Sequence, residues 1–222
     1  MYPSYCLEVN GDYACFTRPE MKVERVSYDI MTPSAARAVF ECILWKPAIR
    51  WVIEKIEVLR PIRWISVRRN EIGCVIPNRN IETAIRAGRG RLGIFIEDER
   101  QQRAGLFLRD VAYRIHAHFE MTDKKGESDH PMKFSEMFVR RAKNGQCINQ
   151  PYLGCREFAA DFHLIEDTAK AETVIDETRP LGWMLYDIDF SNLDVPKPMF
   201  FNAKLIKGAL SVPHPESQEV KR

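Results

Sequence analysis

The most regular hydrophobic pattern in the chain lies near the end of residues 105–121, GLFLRDVAYRIHAHFEM. Alternate positions on one side of this segment are apolar: Tyr113, Ile115, Ala117, Phe119 and Met121. The positions between them are polar: Arg114, His116, His118 and Glu120. A period of two predicts a β-strand with one face packed on a core and the other face polar.

A helix is predicted to begin at the Thr32-Pro33 pair, because threonine is a favourable N-cap and proline fits the first helical position. Its apolar stripe consists of Val39, Phe40, Ile43 and Leu44. Pro47 ends the segment. A second helix is predicted from residue 133, with Phe134, Met137, Phe138 and Ala142 on its apolar side and Gly145 as its stop. The basic residues Lys133, Arg140 and Lys143 lie largely off that stripe.

The remaining elements complete a β-α-β-β-α-β order. Strands are predicted at residues 5–9, 49–59 and 62–68, and a returning strand within 155–165. Residues 69–92 are expected to form a mobile basic loop with a short helical turn at IETAIRA. This order predicts an α+β fold of the ferredoxin-like (RRM-like) type with inserted hairpins, in which both helices cover one face of the sheet. We expect a main domain over 1–166 and a small β-rich appendage over 167–222, whose tail, 213–222, is predicted to be disordered.

Composition agrees with one sizeable core, since 45% of the 222 residues are hydrophobic. The longest apolar runs are shorter than a membrane helix, and the N-terminal segment lacks the features of a signal peptide. Six cysteines are scattered without a C-x-x-C pair. We therefore expect reduced thiols and a cytoplasmic location.

Charge is distributed unevenly although the formal net charge is only +2. Residues 60–91 contain eight arginines and two acids, whereas residues 157–194 contain ten acids. Arginine binds phosphate in a forked geometry, so this pattern favours a nucleic-acid partner, with an ordinary solvated surface as the alternative. The residues predicted to bind RNA are Arg68, Arg69, Arg86, Arg89, Arg91, Arg114, Arg140 and Arg141.

The pair His116 and His118 occupies one face of the predicted strand, where two imidazoles could in principle ligate a metal ion. No third and fourth ligand follows at a suitable spacing, so we predict no metal site. Two interpretations remain open: a structural or surface pair, or a contact with RNA phosphate. The polar face that carries the pair is the one on which this architecture often binds single-stranded RNA.

Two long segments resemble a known family. Residues 11–62, GDYACFTRPEMKVERVSYDIMTPSAARAVFECILWKPAIRWVIEKIEVLRPI, and residues 143–158, KNGQCINQPYLGCREF, are similar to the CRISPR-associated RAMP-superfamily subunit of type I-C (Dvulg-type) systems. The resemblance implies a ferredoxin-like domain with a small β domain. It also implies metal-independent cleavage of the CRISPR repeat transcript within a stem-loop, without a cofactor. The product's 5′ tag would stay bound as the protein joins a surveillance complex with backbone and large subunits.

Such cleavage uses the RNA 2′-OH as nucleophile, so the protein must align the reacting groups, stabilise negative charge and move protons. The resemblance implies three residues for this work: a tyrosine before Trp-Lys-Pro and a Lys-His pair at the start of the second helix. This chain has Leu44, Lys133 and Phe134 at those positions. The catalytic candidates are therefore Lys133 for charge stabilisation and, for proton transfer, His116, His118, Tyr28 or His130.

Two functions follow as alternatives. The first is an endoribonuclease that processes the repeat RNA. The second is a non-catalytic RNA-binding subunit that holds the 5′ tag. The basic face is in addition a candidate surface for duplex DNA.

Overall fold

The long strand β4 (Arg100–Met121) organises the fold. The structure, a computed structural model, describes residues 3–90, 92–167 and 174–222. β4 pairs antiparallel with β1 (Tyr5–Ala14) along one edge and with β2 (Ile49–Val58) along the other. β5 (Asp161–Ile165) flanks β1, so that the order across this part of the sheet is β5-β1-β4-β2. An α+β fold with an antiparallel sheet is confirmed.

Two helices cover one face of the sheet. α1 (Pro33–Ile43) begins where the sequence predicts, with Thr32 Oγ1 accepting a hydrogen bond from the Ala35 amide at 3.3 Å. α4 (Pro131–Lys143) begins two residues earlier than expected, because His130 is its N-cap. The core between helices and sheet is aromatic: the Phe138 ring centroid lies 4.6 Å from that of Trp51 and 5.6 Å from that of Phe40.

A projecting hairpin, which we call the arm, replaces the predicted mobile loop. It consists of β3 (Trp64–Ile72), α2 (Asn78–Ala87), α3 (Ile96–Glu99) and the first half of β4, which pairs with β3. The predicted helical turn is therefore a helix of ten residues. No described side chain of α2 is buried, so this helix presents Arg79 and Arg86 to solvent.

The C-terminal strands continue the same sheet. β6 (Arg179–Asp189) pairs with β7 (Lys197–Ile206), β7 with the short β8 (Ala209–Ser211), and β8 with β2. Residues 168–173 of the predicted appendage lie outside the described residues.

The tail that the sequence predicts to be disordered is ordered against β7. The backbones of Phe200 and Lys221 exchange two hydrogen bonds, at 2.9 and 2.7 Å, and Val220 is buried. The sequence does not reveal this contact, because the tail is mostly polar and only one valine and the backbone groups of one residue hold it against β7.

Among the described residues, none of the helices has the length and apolar character needed to cross a membrane.

Candidate active site

The start of α4 places a histidine and a lysine in one helical turn. Nδ1 of His130 accepts a hydrogen bond from the Lys133 amide at 3.3 Å, which satisfies one of the free N–H groups at the helix N-terminus. The Lys133 ammonium lies 2.9 Å from Oδ1 of Asp129. Because Nδ1 is the acceptor, the proton of the neutral imidazole is assigned to Nε2, and Nε2 remains for a substrate.

The end of α1 forms the opposite wall. Leu44 is the buried C-cap residue, and its carbonyl accepts a 2.8 Å hydrogen bond from the Trp51 indole. This bond fixes the turn after α1, where Trp45 is 55% exposed and Lys46 is exposed. The bond ties the end of α1 to β2, and Lys46 beyond it lies across from Lys133 at the start of α4.

Between these two ends lies a cleft of about 330 Å³, which we call the α1–α4 cleft. Its polar lining consists of Lys46, Lys124, Asp129 and Lys133. A second groove, lined by His130, Glu136 and Arg140, adjoins it and shares Lys133. Cationic groups outnumber carboxylates in both, so the pair of depressions suits an anion such as a phosphodiester.

Asp129 is ionised in this setting. Its hydrogen bond from Lys133, aided by one from the Gly126 amide and by the charge of Lys46, lowers the pKa of the Asp129 carboxyl. The carboxylate positions the Lys133 ammonium over the cleft. One carboxylate cannot neutralise three lysines, and the α4 N-terminus adds positive potential at the same place.

Phe134 belongs to the core, which explains why a phenylalanine follows Lys133. It is 2% exposed, and its ring meets Phe119 edge to face with centroids 6.4 Å apart. The Lys133 ammonium lies 5.6 Å from the centroid of the same ring. Phe134 therefore supports the lysine through a cation–π contact and offers no proton-transfer group.

The two strand histidines lie on the other face of the sheet. Phe119 points to the helices, so its neighbour His118 and the next alternate residue, His116, point away from them. Nε2 of His116 is 3.1 Å from Glu57, and Nδ1 of His118 is 2.6 Å from Glu54. The sheet thus separates both histidines from Lys133, and the structure does not bring these three candidates into one site.

Arg114 is a correction to the predicted RNA-binding set. It is 5% exposed and its Nη1 donates to Oε2 of Glu57 at 3.0 Å. Burial opposes ionisation of Glu57, but hydrogen bonds from Lys55 and His116 outweigh it and lower the pKa of Glu57. Arg114 is therefore half of a buried ion pair within the sheet face, and its guanidinium is not presented to solvent.

Tyr28 is likewise placed in the core. It is 1% exposed, its hydroxyl accepts a hydrogen bond from the Leu185 amide at 3.1 Å, and burial raises the pKa of the phenol. The placement removes Tyr28 from the accessible proton-transfer groups.

The other predicted arginines fall into two groups. Arg68, Arg86, Arg89 and Arg140 are exposed. Arg69 is held by Glu157 at 2.6 Å, and Arg141 donates to the carbonyl of Ile43 at 2.8 Å, joining α4 to the end of α1. Arg91 lies outside the described residues. The arm and the α4 edge together carry the exposed cations.

Three polar residues of the cleft had no role in the sequence-based predictions: Lys46, Lys124 and Asp129. Their sequence signals are weak, since a Trp-Lys-Pro turn and a Lys-Lys pair in a polar loop are common surface patterns. Only the packing of the residue 121–130 loop over the end of α1 brings the two lysines together. Among the described residues there is no cluster of three or more His, Cys, Asp or Glu side chains that could hold a metal ion.

Comparison with known families covers nearly the whole chain. The family model Cas_Cas5d, described as "CRISPR-associated protein (Cas_Cas5)", matches residues 4–213. The chain belongs to the Cas5d family. Within the Cas5d family it is 53% identical over 221 residues to a protein of Mannheimia succiniciproducens, named CRISPR pre-crRNA endoribonuclease Cas5d, with 97% of each chain covered. It is 39% identical to a protein of Thermus thermophilus with the same name, with 97% of this chain and 94% of that one covered.

Solved structures share the fold at low sequence identity. One, titled "Crystal Structure of CRISPR-associated Protein", has a TM-score of 0.70 at 18% identity and covers 100% of this Cas5d-family chain and 97% of its own. Another, titled "CRISPR RNA-guided surveillance complex", has a TM-score of 0.53 at 13% identity and covers 96% and 90% of the two chains. At these identities the likeness concerns the fold alone.

Proposed function

We propose that this protein is a CRISPR repeat endoribonuclease that cleaves pre-crRNA at the α1–α4 cleft. The observation that carries the proposal is the position of Lys133. Its ammonium stands at the N-terminus of α4, beside Lys46 and Lys124 and next to the histidine that caps the helix. Family membership and the names of the two relatives support the same activity.

The family resemblance implies the reaction, and the positive charge of the cleft suits it. A 2′-OH of the RNA attacks the adjacent phosphate, the bond to the 5′ oxygen breaks, and a 2′,3′-cyclic phosphate and a 5′-OH remain. The RNA supplies the nucleophile, so the protein needs neither a metal ion nor a nucleophilic side chain. Lys133 binds a non-bridging oxygen and stabilises the charge that grows there, while Lys46 and Lys124 hold the phosphate in place.

His130 provides the proton-transfer group. All five histidines lie in the described part of the chain, and His130 is the one in the groove shared with Lys133. Its capping bond of 3.3 Å is long for a hydrogen bond, so the ring can give it up on taking a second proton. The doubly protonated ring then donates a proton to the leaving 5′ oxygen, and the proton of the attacking 2′-OH passes to solvent water.

The arm and the edge of α4 bind the rest of the repeat. Exposed arginines at positions 68, 86, 89 and 140 provide sequence-independent contacts to phosphates. The same surface is a candidate for duplex DNA. The arm projects from the core and carries exposed arginines, so it suits a nucleic-acid strand that passes over the sheet.

The strand order supports a ferredoxin-like core. β1, α1, β2, β4, α4 and β5 follow one another along the chain, and their sheet order of β5-β1-β4-β2 is the arrangement expected of a split β-α-β repeat. After cleavage the protein stays on the 5′ tag in the cytoplasm and joins the backbone and large subunits of a type I-C complex. The family resemblance carried by residues 11–62 and 143–158 implies this assembly.

A second candidate function is that of a non-catalytic subunit that holds the 5′ tag. One observation favours it: two of the three positions at which the family resemblance implies catalytic side chains hold the buried residues Leu44 and Phe134. The same basic arm and cleft would then bind RNA without cleaving it.

Incubation of the purified protein with the repeat RNA of its own CRISPR array in EDTA tests both functions. We expect cleavage at one position, with a 2′,3′-cyclic phosphate on the upstream product. A single 2′-deoxy substitution at that position should abolish cleavage and leave affinity nearly unchanged. Binding without cleavage in either EDTA or Mg²⁺ would favour the second candidate, and cleavage of the deoxy substrate would exclude the 2′-OH mechanism.

A further inference from the structure

A cysteine pair lies away from the α1–α4 cleft, where the loop before β5 meets the end of β1. The Cys15 amide donates to the carbonyl of Leu153 at 3.0 Å. Gly154 has φ of +84°, and a Cβ at that position would overlap the carbonyl oxygen of Cys15. Glycine at 154 is therefore needed for this close approach, which brings Cys155 against Cys15.

The two thiols form a hydrogen-bonded pair. As a thiol, Cys155 donates through Sγ to the backbone carbonyl oxygen of Cys15 at 3.7 Å, and as a thiolate it accepts a hydrogen bond from the Cys15 thiol. A guanidinium nitrogen of Arg25 lies 3.5 Å from the same sulfur. Cys155 is half-buried, whereas Cys15 is completely buried. One accessible sulfur thus has a cation and a thiol donor directed at it.

This arrangement separates the chemistry of the two thiols. The hydrogen bond from Cys15, with smaller contributions from Arg25, outweighs burial and the negative charge of Glu157 and lowers the pKa of Cys155 to about 6. The same hydrogen bond and burial raise the pKa of Cys15. The pair has the layout of a nucleophilic thiolate beside a resolving thiol.

We propose that Cys155 and Cys15 are a peroxide-reactive thiol pair that closes into an intramolecular disulfide. The Cys155 thiolate attacks one oxygen of a hydroperoxide; the O–O bond breaks, the sulfur is oxidised to a sulfenic acid, and hydroxide or alkoxide leaves. The Cys15 sulfur then attacks Sγ of Cys155. The S–S bond forms as the S–O bond breaks, and the proton of Cys15 leaves with the hydroxyl group as water.

The consequence is local to the base of the arm. Arg25 and Arg69 both contact Glu157, at 3.5 and 2.6 Å, so the loop that carries Cys155 is joined to β3. A disulfide would fix this loop covalently to the end of β1 and remove the thiolate partner of Arg25.

Cys74 provides an internal control for the thiolate. It is exposed in the arm, and desolvation together with the neighbouring Glu99 raises the pKa of its thiol. If exposure alone set the rate of alkylation, Cys74 would react faster than Cys155. If the thiolate fraction sets it, Cys155 reacts faster at neutral pH. The reduced protein is alkylated with iodoacetamide between pH 7 and 8.5, and the rate at each cysteine is read by peptide mass spectrometry.

We expect the Cys155 rate to rise less than about twofold over this range, and the Cys74 rate to rise more than about tenfold, because thiolate fraction grows tenfold per pH unit only below the pKa. If the alkylation rates of Cys155 and Cys74 rise in parallel with pH, the claim that Cys155 is a thiolate at neutral pH is wrong. Hydrogen peroxide should then yield a peptide pair joined through Cys15 and Cys155 and lighter by two hydrogens, reversible by dithiothreitol. In Cys15→Ser, we expect Cys155 to remain as a sulfenic acid that dimedone traps. If peroxide treatment of the wild-type chain gives no cross-link between Cys15 and Cys155, the proposal that they form a peroxide-reactive pair is wrong.

Discussion

The amide of Lys133 donates to Nδ1 of His130, so the residue that caps α4 and the residue that carries the ammonium occupy one helical turn. This relationship gives His130 two separable roles. Its ring nitrogen stabilises the helix as an N-cap, and its imidazole is the proton-transfer group proposed for the adjoining groove. A substitution that keeps one role and removes the other distinguishes them.

His130→Asn is that substitution, because asparagine is a good N-cap but does not transfer protons near neutral pH. We expect its melting temperature to match that of the wild-type chain, and its single-turnover cleavage rate to fall by roughly 10²-fold or more. His130→Ala should lose both rate and about 1 kcal/mol of stability. Wild-type cleavage by His130→Asn would show that His130 serves only as a cap.

The arm predicts a salt-dependent loss of affinity. Arg86 and Arg89 are exposed, so Arg86→Ala with Arg89→Ala should weaken repeat-RNA binding and lower the log–log salt slope by up to about 0.7 per arginine on single-stranded RNA. Arg222→Ala is the control, since Arg222 is also exposed but lies at the other end of the chain beside Asp189. Filter-binding titrations at several salt concentrations measure both slopes. Equal slopes in the arm variant and the wild-type chain would exclude phosphate contacts by these arginines.

The buried pair on the opposite sheet face predicts an effect on stability. Glu57→Gln leaves the Arg114 charge without its carboxylate, and we expect a loss of about 3 kcal/mol at neutral pH, the low end for a broken buried pair. Glu54→Gln is the matched control, because Glu54 pairs with His118 at a more exposed position and should cost less than about 1 kcal/mol. Urea unfolding measures both. A negligible loss in Glu57→Gln would contradict the structural role given to Arg114.

The same carboxyl sets a pH window. The folded-state pKa of Glu57 lies below the ordinary glutamate value of about 4.5, so the stabilising contribution of Glu57 is fully present above about pH 4.5 and is lost as pH falls through the folded-state pKa. The gap in unfolding free energy between the wild-type chain and Glu57→Gln should therefore shrink below pH 4.5. A gap that stays constant down to pH 3 would contradict this account.

Local patterns in the sequence predicted much of the fold. The cap at Thr32, the alternation through Phe119 and the stripe through Phe138 all depend on neighbours a few residues apart. The C-terminal strands were expected, but their pairing with β2 depends on contacts about 150 residues apart. The order of the tail could not be predicted either, because one buried valine and one backbone bridge produce it.

The site was predicted less completely for a related reason. The family resemblance pointed to Lys133 at the start of the second helix, and its catalytic role stays a prediction. Phe134 was correctly expected to extend the apolar stripe. Alternation cannot show whether a polar strand face is open or filled by its own ion pairs, so the sequence did not reveal the burial of Arg114 against Glu57. The burial of Tyr28 depends on β6, which is remote in sequence.

Single-turnover cleavage of the repeat RNA by Lys133→Ala tests the central claim most directly. Lys143→Ala is its control, because Lys143 lies in the last turn of the same helix and pairs with Glu166 outside the cleft. We predict that Lys133→Ala slows cleavage by about 10²- to 10³-fold, as expected for loss of a charge-stabilising donor, with a much smaller loss of affinity. Lys143→Ala should cleave at the wild-type rate. Equal rates for Lys133→Ala and the wild-type chain would contradict catalysis at the α1–α4 cleft.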